Sequence, residues 1–134
     1  MAKTVVLIDD DEDDLDILKD VIDGIDPTIH CLCFLYPDEA IRIISNELTQ
    51  KPDFVFTDIN MPGMSGDRCV KELRSQRAFD QTVITVLSTS MPHHIAEQLK
   101  GLGANHTFQK PVHVDRYKSI LKTILYGSPI QQPA

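Results

Sequence analysis

Six polar residues stand where short β-type runs end. Asp9 and Asp10 follow the run 4–8, Asp58 follows 54–57, Ser88 and Thr89 follow 82–87, and Lys110 follows 107–109. In an open α/β sheet, ligands bind outside the carboxyl ends of the strands. If these runs lie in one sheet, three carboxylates, the Ser88 hydroxyl and one ammonium converge there. Two carboxylates about 4 Å apart repel by roughly 4 kcal/mol at an effective dielectric near 20. Such a cluster therefore needs a proton, a cation or a base. Lys110 neutralises one charge. A hard divalent ion held by carboxylate, carbonyl and water oxygens neutralises others, and that donor set suits Mg²⁺. An ion there is also placed to bind a phosphoryl oxygen.

The elements that position these residues follow from periodicity. The five β-type runs are 4–8, 29–34, 54–57, 82–87 and 107–109. Between them lie segments of helical period. Leu15, Leu18, Val21, Ile22 and Ile25 share one helix face; Ala40, Ile41, Ile44 and Leu48 share another, after a Pro37-Asp38 start signal. Val114, Tyr117, Leu121, Ile124 and Leu125 form a third stripe, and shorter helices are expected near 68–75 and 92–102. Glycine at 101 and 103 ends the latter. Five alternations of strand and helix imply an α/β fold, a doubly wound five-stranded parallel sheet flanked by five helices. The first, third and fourth strands are nearly continuous apolar runs, as strands covered on both faces should be.

Composition bounds the rest. At 134 residues the chain is one ordinary domain, expected over 1–126, with 127–134 a short polar tail. Its net charge of −7 repels nucleic acid and anionic membrane. Ten of its twenty acidic residues lie between Asp9 and Asp26. The longest apolar stretch, from Cys31 to Tyr36, falls far short of the ~20 residues that span a bilayer. Cys31, Cys33 and Cys69 show no metal-type spacing and read as buried thiols in a reducing cytoplasm. The five histidines likewise lack ligand spacing and read as surface or capping residues.

The motifs themselves resemble a known family. Val5-Val6-Leu7-Ile8-Asp9-Asp10, Thr57-Asp58-Ile59-Asn60-Met61-Pro62-Gly63-Met64-Ser65-Gly66, Val86-Leu87-Ser88-Thr89 and Gln109-Lys110-Pro111 are similar to the CheY-like receiver domains of two-component response regulators. The resemblance runs from about Val5 to Leu125 and implies a role for each matched position. Asp58 would be the phospho-acceptor, attacking phosphorus as a carboxylate nucleophile. Asp10 would bind Mg²⁺ directly and Asp9 through water, with Asp58 and the main-chain carbonyl of Asn60 as further ligands. Lys110 would pair with Asp58 and later with a phosphoryl oxygen. Ser88 would bond another phosphoryl oxygen, and the N–H of Thr89 would contact the group too. The partners implied are a sensor histidine kinase or a histidine phosphotransfer protein, and a protein target reached by association. The stretches 88–90, 104–105 and 109–111 also resemble receivers that partner phytochrome-type kinases. One position departs from the family: Thr107 stands where a tyrosine or phenylalanine is usual, with Phe108 beside it facing the opposite side.

Rival readings fit less well. An aspartate-nucleophile phosphatase usually places a second acid two residues after the nucleophile, where this chain has Asn60. A flavodoxin-type carrier needs a neutral phosphate loop after the first strand, where this chain runs acidic from Asp9 to Asp14. A degenerate receiver serving only as a docking module would lack phosphorylation residues that are all present here. The expectation is a stand-alone regulator, not an enzyme beyond its own phosphorylation and slow dephosphorylation. Asp11, Asp13, Asp14 and Asp16 read as a capped, solvated helix start.

Overall fold

The computed structural model describes residues 3–127. Its strands are β1 (Thr4–Ile8), β2 (His30–Phe34), β3 (Phe54–Asp58), β4 (Val83–Ser88) and β5 (His106–Gln109). Its helices are α1 (Glu12–Ile25), α2 (Pro37–Asn46), α3 (Gly66–Arg74), α4 (His93–Leu102) and α5 (Val114–Tyr126). All strands pair in parallel in the order β2-β1-β3-β4-β5. The three near-continuous apolar runs are therefore the three interior strands, and the weaker runs lie at the edges.

Each sheet face buries its own core. Val6, Ile8, Val55, Ile84 and Val86 pack with Ala40, Ile44, Cys69, Leu73 and Leu99 from α2, α3 and α4. Val5, Leu7, Phe54, Phe56 and Leu87 pack with Leu15, Leu18, Ile22, Tyr117 and Leu121 from α1 and α5. Burying a side chain of this size contributes about 1.5–3 kcal/mol. Chain reversal from the β1–β2 side to the β3–β5 side puts the topological switch point between β1 and β3. That is where Asp9 and Asp58 stand.

Several details differ from the sequence reading. The second strand starts at His30 because Ile29 turns back, its N–H donating to Asp26 O. The fourth starts at Val83, since the Thr82 hydroxyl caps Pro52 O at 2.8 Å. Leu48 lies beyond α2 yet still packs on the core. A 3-10 turn at Arg77–Phe79, absent from the periodicity, drives Phe79 fully into the core. Cys33 is exposed, because β2 is an edge strand, whereas Cys69 is buried. Burial pushes the Cys31 and Cys69 thiols up to about 11. The tail beyond 127 lies outside the described residues.

Two contacts hold the site's frame. The Arg74 guanidinium donates to Gly103 O, Phe79 O, Thr82 O and Asn105 Oδ1 at 2.7–2.9 Å, tying α3 to the end of α4 and the starts of β4 and β5. Gly103 itself ends α4 with φ +119°, a conformation that suits glycine. At the other end of α3, the Gly66 N–H donates to Ile59 O at 2.7 Å. A Cβ on Gly66 would sit 2.4 Å from Asp58 O and 2.7 Å from Ile59 Cα, both backbone atoms. Gly66→Ala must therefore push α3 away from the Asp58 loop. It should lower stability by roughly 1–3 kcal/mol, as overpacking does, read as a fall in the thermal midpoint; an unchanged midpoint would show that the loop yields freely.

Candidate functional site

Asp9 is carried one residue past β1, where its N–H still bonds Phe34 O at 3.1 Å. Its side chain turns inward and is 1% exposed. Asp58 ends β3 and is 8% exposed. Asp10 is exposed at the rim. Ligand oxygens of Asp9, Asp10 and Asp58 all lie within 4.8 Å of one another. The sheet has thus brought Asp58 to the adjacent carboxylates Asp9 and Asp10, far away in sequence. Their oxygens form a hard donor set of the kind that fits a divalent cation such as Mg²⁺.

Lys110 supplies the opposing charge. It follows β5, and its N–H donates to Ser88 O at 2.7 Å, which fixes its stem beside β4. Its side chain is only 9% exposed, and Nζ lies 2.8 Å from Asp9 Oδ2, 2.7 Å from Asp14 Oδ2 and 3.6 Å from Asp58 Oδ2. Burial works against that ammonium, but the hydrogen bonds to Asp14 and Asp9 outweigh it and raise the Lys110 pKa. Burial raises the carboxyl of Asp9, with the Lys110 bond pulling the other way. Burial likewise raises Asp58, opposed by the Lys110 charge and the Ile59 N–H donating to Oδ1 at 2.8 Å.

Ser88 ends β4 and is 2% exposed; the Ser90 N–H approaches its Oγ at 3.5 Å. Thr89 and Asn60 are exposed on the loops after β4 and β3. On β5, Thr107 is half-buried, while Phe108 faces α5 and packs edge-on against Tyr117 with ring centroids 6.1 Å apart. The aromatic ring at this end of β5 thus lies partly buried against the α1–α5 core.

One expectation fails. Asp14 is not a solvated member of an acidic helix start but the nearest partner of Lys110. The helical phase carries the signal: Asp14 lies four residues before Leu18 and seven before Val21, both buried, so it falls on the inward stripe. Asp11 does cap α1, accepting from the N–H groups of Asp13 and Asp14. Asp13 and Asp16 are exposed. Thr57, a motif residue for which the sequence suggested no role, has a buried hydroxyl that donates to Asp58 O at 3.0 Å and pins the backbone behind Asp58.

Comparison with known proteins gives the same architecture. A curated Stress response regulator protein 1 of Candida tropicalis is 34% identical over 85 residues, which is 58% of this chain and 32% of that protein. Sporulation initiation phosphotransferase F of Bacillus subtilis is 27% identical over 88 residues, 65% of this chain and 66% of that protein. The chain thus spans about a third of the yeast relative and two-thirds of the bacterial one. The phosphorylated cyanobacterial phytochrome response regulator RcpA superposes with a TM-score of 0.84 at 19% identity, covering 96% of this chain and 97% of that one. That likeness is one of fold. The model of the response regulator receiver domain matches residues 5–122. With that match over a five-stranded parallel sheet and an acidic edge opposed by one lysine, the chain belongs to the response regulator receiver family.

Proposed function

We propose that the protein is a response regulator whose receiver domain accepts a phosphoryl group at Asp58 from a histidine kinase or a histidine phosphotransfer protein. The observation that carries this reading is the convergence of Asp9, Asp10 and Asp58 within 4.8 Å, with the Lys110 ammonium 3.6 Å from Asp58. In the transfer an Asp58 carboxylate oxygen attacks phosphorus, the bond from phosphorus to the donor breaks, and the donor leaves with that electron pair. Phosphoryl transfer chiefly needs positioning and charge neutralisation. Asp10 and Asp58 would hold Mg²⁺ directly, Asp9 through water, and the Asn60 carbonyl would complete the protein ligands. When bound, the ion neutralises charge on the phosphoryl oxygens. Lys110 neutralises one of those oxygens, Ser88 Oγ–H donates to another, and the Thr89 N–H lies beside them. Asn60, two positions after Asp58, is an amide that cannot protonate a departing alcohol, which favours a signalling acceptor over a phosphatase.

Signalling would proceed by association with a target protein in the cytoplasm. No helix among the described residues is long and apolar enough to cross a membrane, and the chain's charge of −7 disfavours nucleic acid. The RcpA fold likeness and the stretches 88–90 and 109–111 make a phytochrome-type kinase a specific partner to test first.

With Mg²⁺ and acetyl phosphate, intact mass should rise by one phosphoryl group, and Asp58→Asn or chelation of Mg²⁺ should abolish the gain. Labelling that survives either would place the acceptor elsewhere. Asp10→Asn separates metal binding from stability. It removes a charged ligand, so Mg²⁺ affinity should drop, yet it relieves repulsion among crowded carboxylates, so the melting midpoint in EDTA should rise. A lower midpoint would make Asp10 a structural residue.

Because Phe108 packs edge-on against Tyr117 and position 107 is a threonine, the phosphorylated state is reported mainly through Ser88 and through the charges near Lys110. A hydroxyl bonded to a charged acceptor contributes about 1–3 kcal/mol, so the two loop positions must be nearly balanced beforehand. Ser88→Ala should uncouple partner binding from phosphorylation while Asp58 labelling persists, and Thr107→Ala should change little. Amide exchange with and without beryllofluoride should respond at residues 88–94; a response that spares them would refute a Ser88-driven switch.

A further inference from the structure

The ammonium of Lys110 has three N–H donors. Two are engaged, with Asp14 Oδ2 at 2.7 Å and Asp9 Oδ2 at 2.8 Å, while Asp58 Oδ2 stands outside hydrogen-bond reach at 3.6 Å. The lysine therefore leans toward α1 and away from the acceptor. Its two engaged partners are not equivalent. Asp9 is 1% exposed at the side chain and is further held by the Asp11 N–H on Oδ1 at 3.0 Å. Asp14 is 30% exposed at the side chain and stands outside the carboxylate trio that suits a cation. Water can solvate Asp14 in place of the lysine, whereas an abandoned Asp9 would be a buried, uncompensated charge. Asp14 is thus the partner that Lys110 can give up.

Resting on the phospho-acceptor reading, we propose that Asp14 is a positioning residue that holds Lys110 toward α1 before phosphorylation and competes with the phosphoryl group for its ammonium. When Asp58 carries a phosphoryl group, the hydrogen bond from Lys110 Nζ to Asp14 breaks and one to a phosphoryl oxygen forms. Lys110 keeps its bond to Asp9, and no proton changes owner. Asp14 then turns to water. It lines one cleft with Thr89, Ile17 and Val112, so the exchange alters the charge presented by α1 beside the loop that Ser88 controls. The competition sets how readily the acceptor takes and keeps its charge.

Beryllofluoride titration of the full chain with Mg²⁺, followed by amide NMR, tests this. Asp14→Asn keeps the side chain's size and removes the competing charge; it should bind beryllofluoride at about two- to fivefold lower concentration than wild type, the range expected of a partly exposed ion pair. Asp13→Asn removes an equal charge from the same helix turn, where Asp13 is exposed; it should shift binding less than about twofold. Asp14→Glu, which restores the charge, should return toward wild type, and the Lys110 ammonium nitrogen resonance should move in Asp14→Asn but not in Asp13→Asn. Asp14→Ser must act in the same direction as Asp14→Asn. Equal effects of Asp14→Asn and Asp13→Asn, or weaker binding in both neutral Asp14 variants, would overturn the competition while leaving the acceptor reading intact. A wild-type protein that fails to bind beryllofluoride at all would overturn the acceptor reading, and this inference with it.

Discussion

The structure depends on one balance of charge at the carboxyl edge of its sheet. Asp9 and Asp58 are buried where β1 and β3 end, and burial disfavours both carboxylates. A single ammonium, from Lys110 at the end of β5, compensates them across the sheet. Isolated, either charge would be costly to bury; a paired and hydrogen-bonded charge is tolerable. The main-chain bond from Lys110 to Ser88 O, and the packing of α1 against α5, therefore serve the site as much as the fold, because they deliver the lysine to its carboxylates.

Around that balance the frame is unevenly stiff. Arg74 ties the end of α4 and the starts of β4 and β5 to α3 through four hydrogen bonds. At the opposite end of β4, Ser88 holds the following loop by one long contact to the Ser90 N–H, at 3.5 Å. The stapled end and the loosely held end lie at opposite ends of β4 and α4. Such an arrangement lets the residues after Ser88 shift without moving the sheet, and few interactions need be broken for such a shift. Phe108, packed on Tyr117, belongs to the rigid part.

Most of this architecture was legible in the residues. The interior strands announced themselves as unbroken apolar runs, since both faces are covered; the edge strands gave shorter and more mixed signals for the opposite reason. The stripe Leu15, Leu18, Val21 and Ile22 located α1 and its buried face. Asp9, Asp10, Asp58, Ser88 and Lys110 could be placed at strand ends because strand ends are local features. The errors also have local causes. Strand starts slipped where a side chain or turn delayed pairing by a residue, as at Thr82 and Ile29. The turn that buries Phe79 is too short to carry a period.

What the sequence determined by itself was the alternation of elements, the buried faces and the set of polar groups at one edge, all of which follow from side-chain type and from periods of two and 3.6 residues. Only the tertiary structure decided which carboxylate the lysine holds. Asp11, Asp13, Asp14 and Asp16 are chemically alike and close in the chain, and helical phase merely narrows the choice. Packing α1 against the sheet beside α5 turns Asp14 toward Lys110 and leaves Asp13 and Asp16 in water. The partner of Lys110 is set by three-dimensional distance between residues 96 positions apart, and no local pattern encodes such a distance.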